Sequence, residues 1–324
     1  MPSISKAPAG TPPRAQCADA VLMVRPHAFG FNAETAQSNS FQRAAEEGDA
    51  GVAQRARAEF DALAHALLGE GIGVCVAEDS AEPKKPDALF PNNWLSFHGD
   101  GTLVLYPMNH ASRRAERRQE VIDQAIARLG FKVRHLLDLT WHEGEGRYLE
   151  GTGSLVLDHV NRVAYACISA RTHPELVAEW AREMGYEAVV FQAASRAGVP
   201  IYHTNVCMWI GARVALVGSE AIAAGDRTRV LARLRHSGRD VLEVGHDAIE
   251  AFAGNMLELS TWDEALGDAR VLVMSESARR GLPHETFARL SGGTDTVLAV
   301  PLATIERSGG GSVRCMLAEV FRGP

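Results

Sequence analysis

The chain has 324 residues, of which 46% are hydrophobic and 23% charged, and its formal net charge at pH 7 is −7. This composition is typical of a globular protein, and the acidic balance gives no electrostatic reason to expect nucleic acid or an anionic membrane as a partner. No run of about 18 apolar residues occurs, so no segment is predicted to span a bilayer.

The N-terminal segment and the cysteines indicate where the domain begins and which compartment suits it. Residues 1 to 18 are rich in Pro, Ala and Ser and lack a continuous apolar stretch, which predicts a disordered leader followed by a single domain over residues 19 to 324. The cysteines are odd in number and irregularly spaced, with no CxxC pair, which argues against a disulfide framework or a zinc site. A reducing cytoplasm is therefore expected. The cysteines are Cys17, Cys75, Cys167, Cys207 and Cys315.

One supersecondary pattern recurs four times along the chain. Each copy has an apolar strand, a short polar turn, a second apolar strand, a helix and a third apolar strand, repeating roughly every 50–60 residues. The hairpins are predicted within residues 93–108, 153–169, 205–219 and 255–275, and the helices over residues 113–129, 174–184, 227–236 and 283–290. The third strands are KVRHLLDL, EAVVF, DVLEV and TVLAVPL.

A fifth copy is predicted to be split between the two ends of the chain. CMLAEVF near the C-terminus supplies its first strand, AVLMVRP (20–26) its second, the stretch Val52 to Leu68 its helix, and GIGVCVAE its third strand. Five such units, the last closed by strands from both termini, predict a ring with few exposed sheet edges. A generic α/β sandwich is the alternative.

Polar residues recur where the first strand of each unit is predicted to start. In equivalent units these positions would converge near one end of the ring. The segments FPNNW, LEGTGS, YHTNV, GNML and RCML would thus bring together a thiol, an imidazole, a carboxylate and several amides. The residues are Asn93, Glu150, His203, Asn205, Asn255 and Cys315.

Each of these residues also has an ordinary structural explanation. Cysteine is among the most buried residue types, and Cys75, Cys167 and Cys207, which lie inside apolar strands, are predicted to be core residues. Asparagine suits turns, and a single histidine among twelve is usually structural or solvated. The coincidence of all six residues at one point of the repeat favours a functional site.

The residue types in this set indicate nucleophilic catalysis. A free thiol is mostly protonated at neutral pH, and a nearby imidazolium or other cation favours the thiolate. Arg314 adjoins Cys315 but is expected to point to the other face of the strand, so His203 is the predicted partner of the thiol. A Cys–His pair oriented by a carboxylate attacks an sp² carbon that bears nitrogen leaving groups.

The segments LFPNNW, LEGTGS, YHTNV and FAGNML, together with Cys315, resemble the pentein, or guanidine-modifying, superfamily over about residues 20 to 322. This superfamily includes arginine deiminases, dimethylarginine dimethylaminohydrolases and arginine:glycine amidinotransferases, and the segments look most similar to the arginine-deiminase-related citrulline-utilisation hydrolases. The resemblance implies a five-bladed α/β propeller of ββαβ units and a hydrolase without a metal or organic cofactor.

The resemblance also implies roles for individual residues. Cys315 would be the nucleophile, His203 the general acid and base, and Glu150 the carboxylate that binds a substrate nitrogen. DALFPNN is similar to the family's D-x-x-F-x-x-D segment, which would place Asp87 near the α-amino group and Phe90 against the aliphatic stem of an amino-acid substrate.

A second family segment concerns the α-carboxylate of the substrate. SART (169–172) is similar to the deiminases' S-E-R-T, which would place Arg171 on this carboxylate. A guanidinium–carboxylate pair suits that role because it is bidentate and charge-assisted.

The chain departs from arginine deiminases at two positions. Those enzymes have aspartates where this chain has Asn93 and Asn205, and both carboxylates clamp a cationic guanidinium. With two neutral amides instead, a buried guanidinium would lack counter-charges, whereas a neutral ureido group offers both an acceptor and donors that an amide can complement. The departure predicts hydrolysis of citrulline to ornithine, ammonia and carbon dioxide through an S-carbamoyl intermediate.

Other functions stay open at this point. Arginine deiminase or dimethylarginine dimethylaminohydrolase activity would use the same residues, and an amidinotransferase would need a second amine. A non-catalytic pentein that binds ribosomal particles, or a papain-like enzyme, would leave the catalytic set or the repeat unexplained. The expected partner is a small amino-acid substrate, not nucleic acid or membrane, and a homodimer is one option for the assembly.

Two further segments invite other interpretations. RRAERRQE (113–120) has arginines interleaved with glutamates at the start of a helix, which favours a solvated helix face over a nucleic-acid site. The glycines at 309–311 lack a Walker lysine and are expected to form a mobile loop over the site.

Overall fold

The computed structural model describes residues 15–44, 49–265 and 267–322, which form a mixed α/β fold. Residues 1 to 14 of the predicted disordered leader lie outside the described residues. Its last part is packed on the domain, since Cys17 is buried and the Gln16 amide donates to the carbonyl oxygens of Leu157 (2.9 Å) and Ile210 (3.2 Å). The packed chain therefore starts before the predicted boundary at residue 18.

The first three predicted units are present, each with two antiparallel strands and a third strand parallel to the second. The first unit has strands Leu95–Phe97, Thr102–Leu105 and His135–Asp138, and helices Ala111–Arg114 and Gln119–Leu129. The second has strands Val156–Asp158, Val163–Cys167 and Glu187–Phe191, and helix Pro174–Met184. The third has strands Met208–Ile210, Val214–Gly218 and Asp240–Val244, and helix Ala224–Arg235.

The fourth unit and the split fifth unit follow the same order. The fourth has strands Leu257–Asp263, Gly267–Ser275 and Thr296–Val300, and helices Glu276–Gly281 and His284–Gly292. The fifth has strands Ala318–Val320, Ala20–Arg25 and Gly73–Glu78, and helix Asp49–Gly69. Ala20 pairs with Val320 and Leu22 with Ala318 in an antiparallel ladder, so the two chain ends do share one unit.

Strand pairing links only two of these units in the described part of the chain. A parallel bridge between Val320 and Phe97 joins the fifth and first units into one six-stranded sheet, and the other three units are separate three-stranded sheets. The sheets therefore do not close into a ring by hydrogen bonding. The mixed α/β class is confirmed, and the closed five-bladed propeller stays a prediction.

One predicted helix is broken. The pattern over residues 113–129 predicted a continuous helix, but the chain forms a short helix ending at Arg114 and a second helix starting at Gln119, with extended backbone at Arg118 (φ −122°, ψ 128°). The buried residues of the second helix begin with Val121 and Ile122. The amphipathic pattern therefore starts within this helix and does not include the segment before it.

Short helical segments also occur at the connections. The sequence pattern missed them because three to seven residues are too few to show a helical period. At Asn93, Asn205 and Cys315, where strands were predicted to start, the chain forms a helical turn, and the strand begins two or three residues later. These short segments are Ala33–Ala36, Pro91–Asn93, Thr140–Glu145, Gly151–Ser154, Thr204–Val206, His246–Glu250, Ala303–Gly309 and Val313–Met316.

The apolar core lies between the helices and the strands of each unit. In the second unit, Leu176, Val177 and Trp180 on one side of the helix are fully buried. The prediction that Cys75, Cys167 and Cys207 are core residues is confirmed, since all three have no exposed surface. None of the helices in the described part of the chain combines the length and apolar character needed to cross a bilayer.

A buried polar network joins the first unit to the helix of the second. Trp180 donates its indole N–H to the hydroxyl oxygen of Tyr106 (3.0 Å), and the same hydroxyl lies 2.7 Å from Ser96 Oγ, which contacts His98 Nε2 at 2.8 Å. Burial lowers the pKa of His98 to about 4, so this imidazole is neutral at pH 7 and takes part as a neutral donor or acceptor.

This network predicts that replacing two buried tyrosines by phenylalanine changes the free energy of unfolding by different amounts. Tyr106→Phe leaves the Trp180 N–H without its acceptor and should lower the free energy of unfolding by about 1–3 kcal/mol. Tyr165→Phe is the matched control, because the buried Tyr165 hydroxyl has no hydrogen-bond partner, and its removal should be neutral or stabilising. Urea denaturation of both variants tests this, and equal losses would contradict the role of the network.

Candidate active site

Six of the nine predicted site residues line one small pocket. The cavity volume is about 10 Å³, room for about one water molecule, so a ligand the size of an amino acid enters only when lining side chains move. The pocket is lined by Thr35, Asn39, Asp87, Phe90, Asn93, Arg113, Arg171, Tyr202, His203, Gly309, Gly311 and Cys315.

Helical turns at the ends of neighbouring units position the reactive side chains. Glu150 and His203 each immediately precede such a turn, Asn93 ends one, and Cys315 lies within the turn Val313–Met316. The predicted convergence of equivalent positions is therefore correct, although the positions lie before the strands rather than on them.

Two glycines allow the turns to approach one another closely. A Cβ atom at Gly153 would lie 2.5 Å from Asn93 Nδ2 and 2.7 Å from His203 Nδ1, so any side chain there would fill the space between these two groups. A Cβ atom at Gly254 would lie 2.3 Å from the carbonyl oxygen of Val206. These contacts explain the glycines of the LEGTGS and FAGNML segments.

Glu150 is fully buried and holds His203. Its Oε2 atom lies 2.8 Å from His203 Nε2 and 3.5 Å from the Arg171 guanidinium, and its Oε1 atom accepts the backbone N–H of Asn109 at 3.1 Å. Burial alone would raise the pKa of Glu150, but the charge of Arg171, the bond to His203 and the charge of Arg113 outweigh it and hold this pKa well below its usual range. Glu150 is thus a permanent anion.

His203 is neutral at pH 7. Burial lowers its pKa to about 4, against the opposing effect of the hydrogen bond and charge of Glu150. With Nε2–H donated to the carboxylate, Nδ1 keeps its lone pair and is free to accept a proton. Glu150 is not among the residues that line the pocket, so its contacts are those of a group that orients the imidazole, whereas the resemblance implied direct binding of a substrate nitrogen.

Cys315 has two amides as its hydrogen-bond partners. Asn255 Nδ2 lies 3.2 Å and Asn205 Nδ2 3.6 Å from Sγ, and neither asparagine lines the pocket. Both were predicted to bind substrate, and the contact that the structure shows is with the sulfur. His203, the predicted partner of the thiol, faces the same pocket, and its hydrogen bond goes to Glu150.

Arg113 is a pocket residue that the sequence analysis assigned to a solvated helix face. This assignment is wrong, because Arg113 and Glu116 are both buried and paired at 2.6 and 2.9 Å. Arg113 also donates to Asn93 Oδ1 from both terminal nitrogens (3.1 and 3.2 Å) and to the carbonyl oxygen of Phe90. The sequence shows no periodic signal for this burial, since the segment before Gln119 lies outside the amphipathic stripe.

The segment Ala33–Ala36 and the residues around it cover the other side of the pocket. Asp87 Oδ2 accepts from Asn32 Nδ2 (2.8 Å) and Thr35 Oγ1 (3.2 Å), and its Oδ1 atom is buried without a partner. Arg171 donates to Ser38 Oγ and to the Thr35 carbonyl oxygen. The sequence analysis did not find this covering segment, because its helix of four residues has no periodic pattern.

The glycine-rich segment lies beside Cys315, but it is buried and Gly309 ends the helix Ala303–Gly309, whereas a mobile loop was predicted. Gly309 and Gly311 line the pocket, and Tyr202 donates its hydroxyl to the carbonyl oxygen of Gly310. Arg314 faces away from the pocket, where it donates to the Leu317 carbonyl oxygen (2.9 Å) and pairs with Glu319 (2.7 Å). The predicted orientation of Arg314 is confirmed.

The arrangement is suited to nucleophilic attack on a trigonal carbon. It offers a thiol held by two amides, a neutral imidazole oriented by a carboxylate, and buried donors and acceptors around a closed space. Within the described residues, no group of three or more His, Cys, Asp or Glu side chains is arranged to hold a metal ion.

The environment of His203 predicts its titration. Its imidazole should titrate near pH 4, and Glu150→Gln should lower the pKa further, because the carboxylate is what stabilises the imidazolium. Histidine side-chain NMR, assigned with a His203→Gln variant, measures this. A wild-type pKa of 6.5 or above, or a rise in the Glu150→Gln variant, would contradict the described pairing.

Comparison with solved structures shows the same fold. The N-terminal domain of ArgZ, an arginine dihydrolase of the ornithine–ammonia cycle in Cyanobacteria solved with bound substrate, superposes with a TM-score of 0.70 at 18% identity over 94% of this chain and 98% of that domain. The chain spans 40% of full-length ArgZ. DDAH from Pseudomonas aeruginosa, solved as a mutant with citrulline, gives a TM-score of 0.63 at 14% identity, covering 94% of this chain and 99% of that chain.

Sequence comparison identifies the family. No curated protein sequence matches the chain significantly. The family described as "N,N dimethylarginine dimethylhydrolase, eukaryotic" matches residues 25–322, which is most of the chain. The protein therefore belongs to this family, within the pentein superfamily, and is a hydrolase of non-peptide carbon–nitrogen bonds.

Proposed function

We propose that the protein hydrolyses the ureido group of citrulline to give ornithine, ammonia and carbon dioxide, with Cys315 as nucleophile and no cofactor. The observation that carries this proposal is the orientation of the Asn93 side chain. The proposal includes a five-bladed arrangement of the units, which the pairing of the chain ends supports.

Arg113 dictates which end of the Asn93 amide faces the pocket. A guanidinium only donates hydrogen bonds, so the oxygen Oδ1, which lies 3.1 and 3.2 Å from its nitrogens, must point toward Arg113. The Nδ2 atom then points away from Arg113, and it is buried without a partner. A buried donor without an acceptor costs about 1–3 kcal/mol, which a ligand with a carbonyl oxygen would recover.

This donor distinguishes two classes of substrate. A ureido group has a carbonyl oxygen that accepts from Asn93 Nδ2, whereas a guanidinium has only N–H donors and leaves the Asn93 donor unpaired. The penalty for mispaired buried polar groups is large enough to govern substrate choice.

Charge at the reactive end supports the same substrate. Glu150 already accepts from His203 and from the Asn109 N–H, and Glu116 is paired with Arg113. A guanidinium entering the pocket would add a third buried cation beside Arg113 and Arg171 without an unpaired carboxylate at this end.

The remaining pocket residues suit the amino-acid part of citrulline. Asp87 Oδ1 is buried and unpaired, so it is available to accept from the α-ammonium group. Phe90 packs against the methylene chain, and Arg171 binds the α-carboxylate. Asp87 and Asn93 lie three residues before and after Phe90, so one turn of chain supplies three contacts.

The proposed reaction has two steps. Cys315 Sγ attacks the ureido carbon while His203 Nδ1 takes the thiol proton and passes it to the leaving nitrogen, which breaks one carbon–nitrogen bond. Water then loses a proton to His203 and attacks the S-carbamoyl carbon, which releases the thiol. The carbamate product decomposes to an amine and carbon dioxide, so one water is consumed overall.

Hydrolysis of a guanidino substrate is the second candidate. It is favoured by the names of the structural relatives, one of which is an arginine dihydrolase. This function would require Asn93 to accept rather than donate, which Arg113 opposes.

Substrate specificity can be measured directly. We expect ornithine and ammonia from citrulline, with kcat/KM about 5- to 160-fold higher than for arginine or dimethylarginine, since one unsatisfied buried donor costs about 1–3 kcal/mol. Cys315→Ser should abolish turnover of all three compounds. Faster hydrolysis of arginine or dimethylarginine than of citrulline would overturn the proposed substrate while leaving the nucleophile intact.

Asn93 variants separate charge from hydrogen bonding. Asn93→Asp replaces the donor by a carboxylate that pairs with Arg113, and kcat/KM for citrulline should fall about 10²–10³-fold, as when one donor to a reacting oxygen is lost. Activity toward arginine, relative to citrulline, should rise. Asn93→Ala removes the donor without adding charge and should lower citrulline turnover without any gain for arginine. Equal effects of both variants on the citrulline-to-arginine ratio would argue against the proposed role.

A further inference from the structure

We propose that Asn255 is the positioning residue that stabilises the thiolate of Cys315, in place of a histidine–cysteine ion pair. This inference concerns the free enzyme and does not depend on which substrate is hydrolysed. It rests on the contacts of one amide, on the backbone that carries it, and on the contacts of His203.

The orientation of the Asn255 amide is fixed by a second acceptor. Its Nδ2 atom lies 3.2 Å from the carbonyl oxygen of Asn205 and 3.2 Å from Cys315 Sγ. A carbonyl oxygen only accepts, so the NH₂ group must face this side, and its second N–H points at the sulfur. A donor aimed at sulfur favours the thiolate over the thiol, because the hydrogen bond strengthens when its acceptor carries a charge.

The backbone around Asn255 is shaped to hold this contact. Phe252 has a positive φ of 65°, which is rare for a residue with a side chain, and its carbonyl oxygen accepts the Asn255 N–H at 2.8 Å. Gly254 packs directly against the Val206 carbonyl oxygen, where no side chain fits. Asn255 thus follows a residue with positive φ and a glycine that no other residue can replace. This backbone indicates that the position of the Asn255 amide is tightly constrained.

His203 is not equipped to stabilise the thiolate by charge. Its Nε2 atom is bonded to Glu150 and its pKa is lowered to about 4, so at neutral pH it provides no positive charge. Arg314, on the same turn as Cys315, is turned away and paired with Glu319. The other charged or titratable side chains that share the pocket with Cys315 are Asp87, Arg113, Arg171 and Tyr202.

Asn205 makes the weaker of the two amide contacts. Its Nδ2 atom lies 3.6 Å from the sulfur, and its Oδ1 atom is unpaired, so no second partner fixes its orientation. The part of Asn205 that orients Asn255 is the backbone carbonyl, which a side-chain substitution retains. We therefore expect substitution of Asn255 to change the ionisation of the Cys315 thiol more than substitution of Asn205 does.

The pH dependence of Cys315 alkylation tests the proposal without substrate. The rate of iodoacetamide reaction is measured from pH 5 to 10, with Cys315→Ser defining the background from the other cysteines. The midpoint should rise by about one pH unit or more in Asn255→Ala, and further in Asn255→Asp, which places a negative charge beside the sulfur. Asn205→Ala should shift the midpoint less. The midpoint reports ionisation, so altered access to the buried thiol changes the rate without moving it.

The contrasting variant is His203→Gln, which removes the imidazole. Its midpoint should stay within a few tenths of a pH unit of the wild type, although turnover is lost. A larger rise in His203→Gln than in Asn255→Ala would show that the imidazole stabilises the thiolate and would overturn the proposal, as would an unchanged midpoint in both Asn255 variants. Circular dichroism of each variant at the extremes of pH confirms that the compared proteins are folded.

Discussion

A buried guanidinium that must pair all of its donors determines the chemistry of this pocket. Arg113 is enclosed, and leaving its N–H groups unpaired in such surroundings would cost several kcal/mol. Glu116 neutralises the charge and accepts two of the donors, and the rest go to the Phe90 carbonyl oxygen and to Asn93 Oδ1. The paired Arg113 thus contacts the backbone of Phe90 and orients the Asn93 amide.

The site depends equally on how closely neighbouring units can approach. Each reactive side chain lies on or beside a short turn at the end of its unit, and the turns touch through positions where only glycine fits, such as Gly153 and Gly254. The fifth turn carries Cys315 near the C-terminus, and its unit is completed by the N-terminal strand Ala20–Arg25. Cys315 is therefore positioned only once the two chain ends have paired.

Sequence periodicity predicted the repeated unit well because apolar alternation and helical spacing persist over enough residues to be read. Helix Pro174–Met184 and the closing strand Glu187–Phe191 have the predicted bounds. The convergence of Glu150, His203 and Cys315 followed from the equivalence of the units.

The features that could not be predicted from the sequence lie in segments without a periodic pattern of apolar residues. Arg113 was assigned to a solvated face because its neighbours are charged, and only the path of the chain after Arg114 shows that it turns inward. Similarly, no local pattern distinguishes an asparagine that meets a substrate from Asn255, which meets the sulfur. Such assignments depend on distances between units, which a linear pattern does not encode.

The unpaired polar atoms of the pocket constrain the chemistry of its ligand more than the paired ones do. Most polar groups in the wall are already satisfied, and a ligand gains little from them. Two buried polar atoms of lining residues have no partner: Asp87 Oδ1 can only accept, and Asn93 Nδ2 can only donate. A ligand that satisfies both must carry a donor for one and an acceptor for the other, with an apolar stretch against Phe90 between them. An amino acid with a carbonyl-bearing head meets these three demands, whereas an amino acid with a guanidinium head meets only two. Under the proposed function, the preference for a carbonyl-bearing head lies in the orientation of one amide, and that orientation follows from the burial of Arg113.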